Sequence, residues 1–130
     1  MLDEFELGDR RDAFPSEMSR GMEQKLVLAM ALLHRPEAIL LDESLTDLDP
    51  GAMRLMKQRI RETAAGGVVV VLSSHMRHLV EELCPRVAIL VRGRNVLDGT
   101  IEQIRNSVPD LAVDAGLEAI FTKAVEVNGS

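Results

Sequence analysis

The sequence has few of the residue types that build base-stacking surfaces or disulfide frameworks. Its 130 residues include no Trp, no Tyr and only three Phe, so an aromatic surface for stacking nucleic-acid bases is nearly excluded. The single cysteine, Cys84, rules out an internal disulfide framework. One unpaired cysteine is typical of a protein kept in a reducing compartment.

Long hydrophobic runs and excess positive charge are also missing. The longest apolar stretches, 26–33 and 64–72, fall well short of the roughly 17–25 residues that a membrane-spanning helix needs. The N-terminus is acidic where a signal peptide would be basic. The net charge of −6 argues against binding to nucleic-acid phosphates, which needs clustered Lys and Arg. We therefore expect a cytoplasmic chain that neither inserts into a membrane nor binds nucleic acid.

The composition that remains is that of a folded domain. The hydrophobic fraction is 46% and the charged fraction 28%, and a chain of this length can bury about two-thirds of its unfolded surface. Apolar runs at 38–41, 68–72 and 87–91 predict strands, and segments of helical periodicity separate them. Alternation of strands and helices predicts an α/β fold with a parallel sheet, followed by a β-hairpin and C-terminal helices.

Two helix starts are well marked. Ser19 is a good N-cap, and the residues after it recur at helical spacing until Pro36 (Met22, Leu26, Ala29, Met30 and Leu33). Asp49 and Pro50 form a second start, with Asp as the cap and Pro at the first helical position. Small residues and free amides around 19–21 could make an anion site, since a helix N-terminus attracts negative charge. A plain N-cap is the alternative interpretation of that segment.

Polar residues follow two of the predicted strands directly. Asp42 and Glu43 end the first strand and His75 follows the second, and ligands of parallel sheets bind at the carboxyl ends of the strands. Asp42 could hold Mg²⁺ through water, Glu43 could orient or deprotonate a water, and His75 could donate to a phosphate oxygen. The alternatives are a solvated pair of carboxylates and a structural histidine.

Four motifs in order resemble those of ABC-type ATPases. Residues 18–22, with Ser-Arg-Gly-Met, resemble the signature motif. Residues 39–43 resemble the Walker B strand with its catalytic glutamate, 48–50 the D-loop, and 73–75 the switch histidine. The Ser-Arg-Gly-Met form is most similar to ATPase subunits of ABC-2-type exporters. The fold implied is a P-loop NTPase-like parallel sheet flanked by helices.

The resemblance implies a role for each matched position. Asp42 would hold Mg²⁺ through water, Glu43 would be the general base, and His75 would contact the γ-phosphate of ATP. Asp49 would reach across a dimer interface. Residues Ser19 and Gly21 would donate to the γ-phosphate of ATP bound on the partner subunit.

The sequence departs from the family pattern at three other positions, within or directly beside these motifs. Arg20 replaces the first signature glycine, and this cation could attract phosphate or block close approach. Met22 replaces the usual Gln, and Ser44 stands where Pro is usual.

The largest departure is a missing motif. A Walker A loop cradles phosphates with backbone amides and a lysine, and this sequence contains no Gly-Lys dipeptide. The resemblance therefore implies the C-terminal portion of an ATPase subunit. It would comprise the remainder of the helical subdomain (1–35), an α/β core with the hairpin (36–106) and a tail helix (107–130).

The leading hypothesis is that the chain is part of a subunit coupling ATP hydrolysis to transmembrane transport. A second ATPase subunit and a membrane-embedded permease would be its partners, at the inner face of the membrane, and the isolated chain would be inactive. Two alternatives stay open: a non-catalytic half-site that completes a partner's ATP site, and an ABC-type ATPase outside transport. The strands at 39–41 and 68–72 should also have an uncovered face or edge that promotes aggregation.

Overall fold

The computed structural model describes residues 1–128, except for the side chain of Pro15. Residues 129 and 130, the end of the expected tail helix, lie outside this part. The described residues form two compact units, Met1–His75 and a second one from Met76 onward. The division into 1–35, 36–106 and 107–130 remains a prediction about subdomains of the family fold.

The first unit contains two helices and two strands in alternation. Three short 3₁₀ turns precede them, at Asp3–Phe5, Gly8–Arg10 and Pro15–Glu17. The regular elements are α1 (Arg20–Leu33), β1 (Ala38–Asp42), α2 (Pro50–Ala65) and β2 (Val69–Ser73). The two strands are parallel, and Ala38 pairs with Val69 at one end and Asp42 with Ser73 at the other. The predicted α/β fold with parallel strands is confirmed, and its register brings two polar strand ends side by side.

Helix α1 begins where its cap predicted, but it buries only part of the predicted face. The Ser19 hydroxyl accepts a hydrogen bond from the Met22 amide at 3.3 Å, so the cap is formed. Met30 and Leu33, however, are 61% and 59% exposed. Of the other predicted positions, Ala29 is buried and Met22 and Leu26 are half-buried. The remaining buried positions are Gly21, Lys25 and Leu28. This helix is apolar around much of its circumference, and the neighbours that pack on it decide which stripe is covered.

Helix α2 has the predicted cap and buries one stripe of residues. Asp49 Oδ1 accepts from the amides of Gly51 and Ala52 at 2.9 and 3.0 Å, and Pro50 occupies the first position. The buried residues Ala52, Met56 and Ile60 recur at intervals of four and lie on one stripe. Because Asp49 caps the helix, the D-loop segment is anchored to the first turn of α2.

One face of the parallel strands is uncovered within the described residues. Ile39 and Leu41 are buried on the inner face. On the outer face Leu40, Val69 and Val71 are 71%, 60% and 51% exposed. Successive strand residues point to opposite faces, so these three side chains form a contiguous apolar patch, which we call the outer-face patch. The uncovered face expected from the sequence is present.

Replacing part of the outer-face patch should reduce self-association of the chain. We expect Leu40→Thr with Val71→Thr to raise the monomer fraction, because apolar area is removed while Thr keeps strand propensity. Light scattering after size-exclusion chromatography measures the change. Val113→Thr is the control, since Val113 is 92% exposed but lies outside the strands. An unmodified chain that is already monomeric, with a sharp reversible melt, would contradict the prediction.

The second unit is a hairpin packed with three helices. Its elements are α3 (Arg77–Leu83), β3 (Val87–Val91), β4 (Arg94–Gly99), α4 (Ile101–Ser107) and α5 (Leu117–Asn128). Arg92 and Gly93 connect the strands with φ values of 49° and 76°, which is the backbone of a type I′ turn. Thr100 and Gln103 form a capping box at the start of α4. No helix within residues 1–128 is long and apolar enough to cross a membrane.

Candidate functional site

The carboxyl ends of β1 and β2 bring Asp42 and Ser73 together. The two residues are paired in the strand register, and the Ser73 hydroxyl donates a hydrogen bond to Asp42 Oδ1. The amide of Glu43 donates to the Ser73 carbonyl at 3.0 Å. This backbone bond continues the ladder one step beyond the strands and fixes the start of the following loop. Asp42 and Glu43 therefore leave the sheet at a defined point.

Glu43 and His75 are in direct contact beyond the strand ends. His75 Nδ1 lies 2.8 Å from Glu43 Oε2, and the Thr46 hydroxyl donates to the same oxygen at 3.0 Å. Glu43 has a φ of 49°, a left-handed conformation that is uncommon for a residue with a side chain. Both side chains remain largely exposed. The loop thus presents a carboxylate and an imidazole to an incoming ligand instead of turning them into the core.

The oxygen donors at this edge fit a magnesium ion bound mainly through water. Asp42 and Ser73 offer a carboxylate and a hydroxyl. Within residues 1–128 no group of three His, Cys, Asp or Glu side chains could enclose a metal. Mg²⁺ commonly takes one or two protein oxygens and completes its shell with waters and substrate phosphates. The donor set therefore suits an ion that arrives with a phosphorylated ligand.

The N-terminus of α1 lies close to the N-terminus of α2 because residue 21 is glycine. A Cβ atom at Gly21 would lie 3.1 Å from both the Ala52 Cβ and Asp49 Oδ2. The hydrogen bond from the Ala52 amide, more than any other contact, holds the pKa of the Asp49 carboxyl below its usual range. The segment from Ser19 to Gly21 therefore lies beside Asp49.

Arg20 is engaged within its own chain. Its guanidinium lies 3.5 Å from the Asp47 carboxylate, and both side chains are exposed. Asp47 has a left-handed φ of 58°. The structure therefore gives Arg20 a partner on the loop between Glu43 and Asp49, a contact that the sequence did not indicate.

The predicted site residues fall into two groups, each with its own contacts. Asp42, Glu43 and His75 gather at the strand ends. Residues 19–21 and Asp49 gather where the two helices begin. Sequence reasoning missed Ser73 and Thr46 as supporting groups. Ser73 lies within a motif segment and Thr46 lies between two of them, and this proximity was the available signal.

The comparisons with known proteins point in one direction. The family model described as "ABC transporter" matches residues 1–46. An uncharacterized ABC transporter ATP-binding protein of Bacillus subtilis, YhaQ, is 36% identical over 106 residues, which are 82% of this chain and 36% of that protein. Nod factor export ATP-binding protein I of Burkholderia orbicola is 32% identical over 139 residues, covering 99% of this chain and 46% of that protein.

A solved structure agrees with these sequence matches. The chain superposes on a structure described as the ATP binding subunit of an ABC transporter with a TM-score of 0.86 and 32% identity. The match covers 95% of this chain and 51% of that one. The chain thus spans about half the length of that solved chain, and half or less of each of the two curated relatives.

Proposed function

The chain belongs to the ATP-binding subunits of ABC transporters, and we propose that it is the C-terminal part of a subunit that couples ATP hydrolysis to transport. The observation that carries the proposal is the contact between Glu43 and His75 beside the Asp42–Ser73 pair. A base, a phosphate-contacting imidazole and magnesium-binding oxygens meet there at the carboxyl ends of parallel strands. This set suits hydrolysis of a nucleoside triphosphate.

Glu43 is the group that would accept a proton from the attacking water. Its Oε2 atom already accepts a hydrogen bond from the Thr46 hydroxyl and contacts His75 Nδ1. We therefore assign the attacking water to Oε1. Two fixed contacts on one oxygen restrict rotation of the carboxylate, which favours a constant direction for the other oxygen. Members of the family bind ATP, usually with Mg²⁺, and the ion would neutralise charge on the phosphates while Asp42 holds it through water.

His75 would stabilise charge on the transferring phosphoryl group. With Nδ1 directed at Glu43, Nε2 is the ring nitrogen assigned to a phosphate oxygen. Catalysis of phosphoryl transfer depends mainly on positioning and electrostatic stabilisation. The exposed side chain of His75 is compatible with that task.

The second group of residues would work between subunits. In the proposed dimer, Ser19, Arg20 and Gly21 face ATP held by the partner, and Asp49 lies at the same interface. A permease would be the membrane-embedded partner and keep the subunit at the inner face of the membrane. Relatives named for Nod factor export support an exporter. The permease would determine which substrate is transported.

The chain alone should not bind ATP measurably, because it contains no phosphate-binding loop. We expect a dissociation constant weaker than about 1 mM for Mg-ATP by isothermal titration. Fusing the chain to the N-terminal half of a relative such as YhaQ should restore Mg-ATP hydrolysis. A chimera whose phosphate-loop lysine is changed to Ala is the control. Micromolar binding by the chain alone, or an inactive chimera that folds and binds ATP, would contradict the proposal.

A further inference from the structure

A buried charge lies beneath the second group of site residues. Lys25 is the one charged side chain classed as buried within residues 1–128, at 9% exposure. Its Nζ donates to Glu6 Oε2 at 2.8 Å. Burying an ammonium is costly even when it is paired, and an apolar side chain of similar volume is often at least as stabilising. Stability alone therefore does not explain a lysine at this position.

Lys25 lies on the face of α1 that approaches Asp49. It follows Gly21 by four residues, so the two stand one above the other on the helix. Gly21 is the point at which α1 comes closest to Asp49 Oδ2. The Lys25 charge adds to the hydrogen bonds from Ala52 and Gly51 in lowering the pKa of Asp49. Lys25 therefore stands one helical turn from the point where α1 meets this carboxylate.

The backbone around Glu6 aims its carboxylate at Lys25. Phe5 and Leu7 on either side are buried, while Glu6 itself has a left-handed φ of 58°. That conformation is unfavourable for a residue with a side chain, and the buried neighbours hold it. The hydrogen bond from Lys25 is the main cause of the lowered pKa of Glu6. Glu6 is thus the direct counter-charge of Lys25.

We propose that Lys25 is a positioning residue that holds Asp49 against the start of α1, with Glu6 as its counter-charge. Asp49 caps α2 through Oδ1 and turns Oδ2 toward Gly21. The ammonium favours this orientation, so the N-termini of α1 and α2 keep one relative position. The role of Asp49 between subunits rests on the proposed function, whereas the arrangement itself is tested in the chain alone.

The test is Lys25→Met, made in the Leu40→Thr, Val71→Thr background so that the chain stays monomeric. A carbon-13 NMR titration should show a higher pKa for Asp49, because a cation that stabilises its charged form is gone. Amides of Gly51 and Ala52 should exchange with solvent about threefold faster as the cap weakens. Lys25→Arg keeps the charge and should restore both readouts.

Lys123→Met is the matched control, because Lys123 pairs with Glu126 in the second unit. It should change neither the pKa of Asp49 nor the two amides. An unchanged Asp49 pKa in Lys25→Met, or no restoration by Arg, overturns the proposal.

If Lys25→Met does not fold, Glu6→Gln decides the question. It releases the ammonium from its counter-charge and should lower the Asp49 pKa further; an unchanged value overturns the proposal. ATP is absent from these measurements, so an inactive chimera would overturn the proposed function and leave this result standing.

Discussion

Glu43→Gln should reduce ATP hydrolysis by the chimeric subunit at least about 100-fold, the usual minimum for loss of a general base. Gln has the same shape and can keep contacts with Thr46 and His75, but it cannot accept a proton from water. ATP affinity should be unchanged, because the substitution removes a group that acts in the transition state and not in binding. Steady-state turnover and nucleotide titration measure the two effects separately.

Glu37→Gln is the control for this substitution. Glu37 directly precedes β1, at the opposite end of the strand from Glu43, and its exposed side chain is removed from the Asp42–His75 group. It should leave turnover within about twofold, as surface substitutions away from special features do. Turnover that survives Glu43→Gln, or falls equally with Glu37→Gln, would show that Glu43 is not the base.

Thr46→Val refines the assignment of the two carboxylate oxygens. The Thr46 hydroxyl donates to Glu43 Oε2, so the variant removes one of two contacts that orient the carboxylate. We expect a loss of turnover smaller than that of Glu43→Gln and larger than that of Glu37→Gln. The proposed base remains in this variant, but its carboxylate is held less firmly in one direction. A Thr46→Val loss as large as that of Glu43→Gln would instead indicate that the loop has rearranged.

Met56→Ala should lower the free energy of unfolding by about 2–5 kcal/mol, the range for a large-to-small change in a packed core. Met56 is completely buried on the inner stripe of α2. Truncation removes apolar contacts and leaves a cavity, because the surroundings of a fully buried side chain relax only partially. Urea unfolding of the monomeric Leu40→Thr, Val71→Thr chain measures the loss.

Met30→Ala supplies a control of the same residue type. Met30 is largely exposed on α1, so its truncation should change stability by less than about 0.5 kcal/mol. Equal losses at both positions would mean that Met30 is covered in solution, by self-association or by another contact. A small loss at Met56 would mean that the first unit is loosely packed.

Local features of the sequence predicted the elements and most of their ends. Ser19, Asp49 and Thr100 act on backbone amides within three residues of themselves, so their effect does not depend on the rest of the fold. The alternation of apolar runs with segments of helical periodicity likewise predicted the parallel strands. The strand ends then predicted that Asp42, Glu43 and His75 would meet, because parallel strands finish at one edge of their sheet.

The full buried face of α1 could not be predicted from its own residues. Met30 and Leu33 satisfy the helical period as well as Leu28 does, and periodicity does not distinguish two apolar stripes on one helix. The approach of Gly21 to Ala52 selects the stripe. It also buries Lys25, which a count of apolar positions would have placed at the surface.

The sequence by itself determined which residues are candidates for chemistry and in what order they occur, because those signals are local and lie within a few residues of a strand end or helix start. The tertiary structure alone decided the contacts between distant segments: Glu43 with His75, Asp42 with Ser73, Arg20 with Asp47 and Lys25 with Glu6. Such contacts depend on strand register and on the distance between helices. Both are set by packing of the whole unit, which no single segment of the sequence encodes.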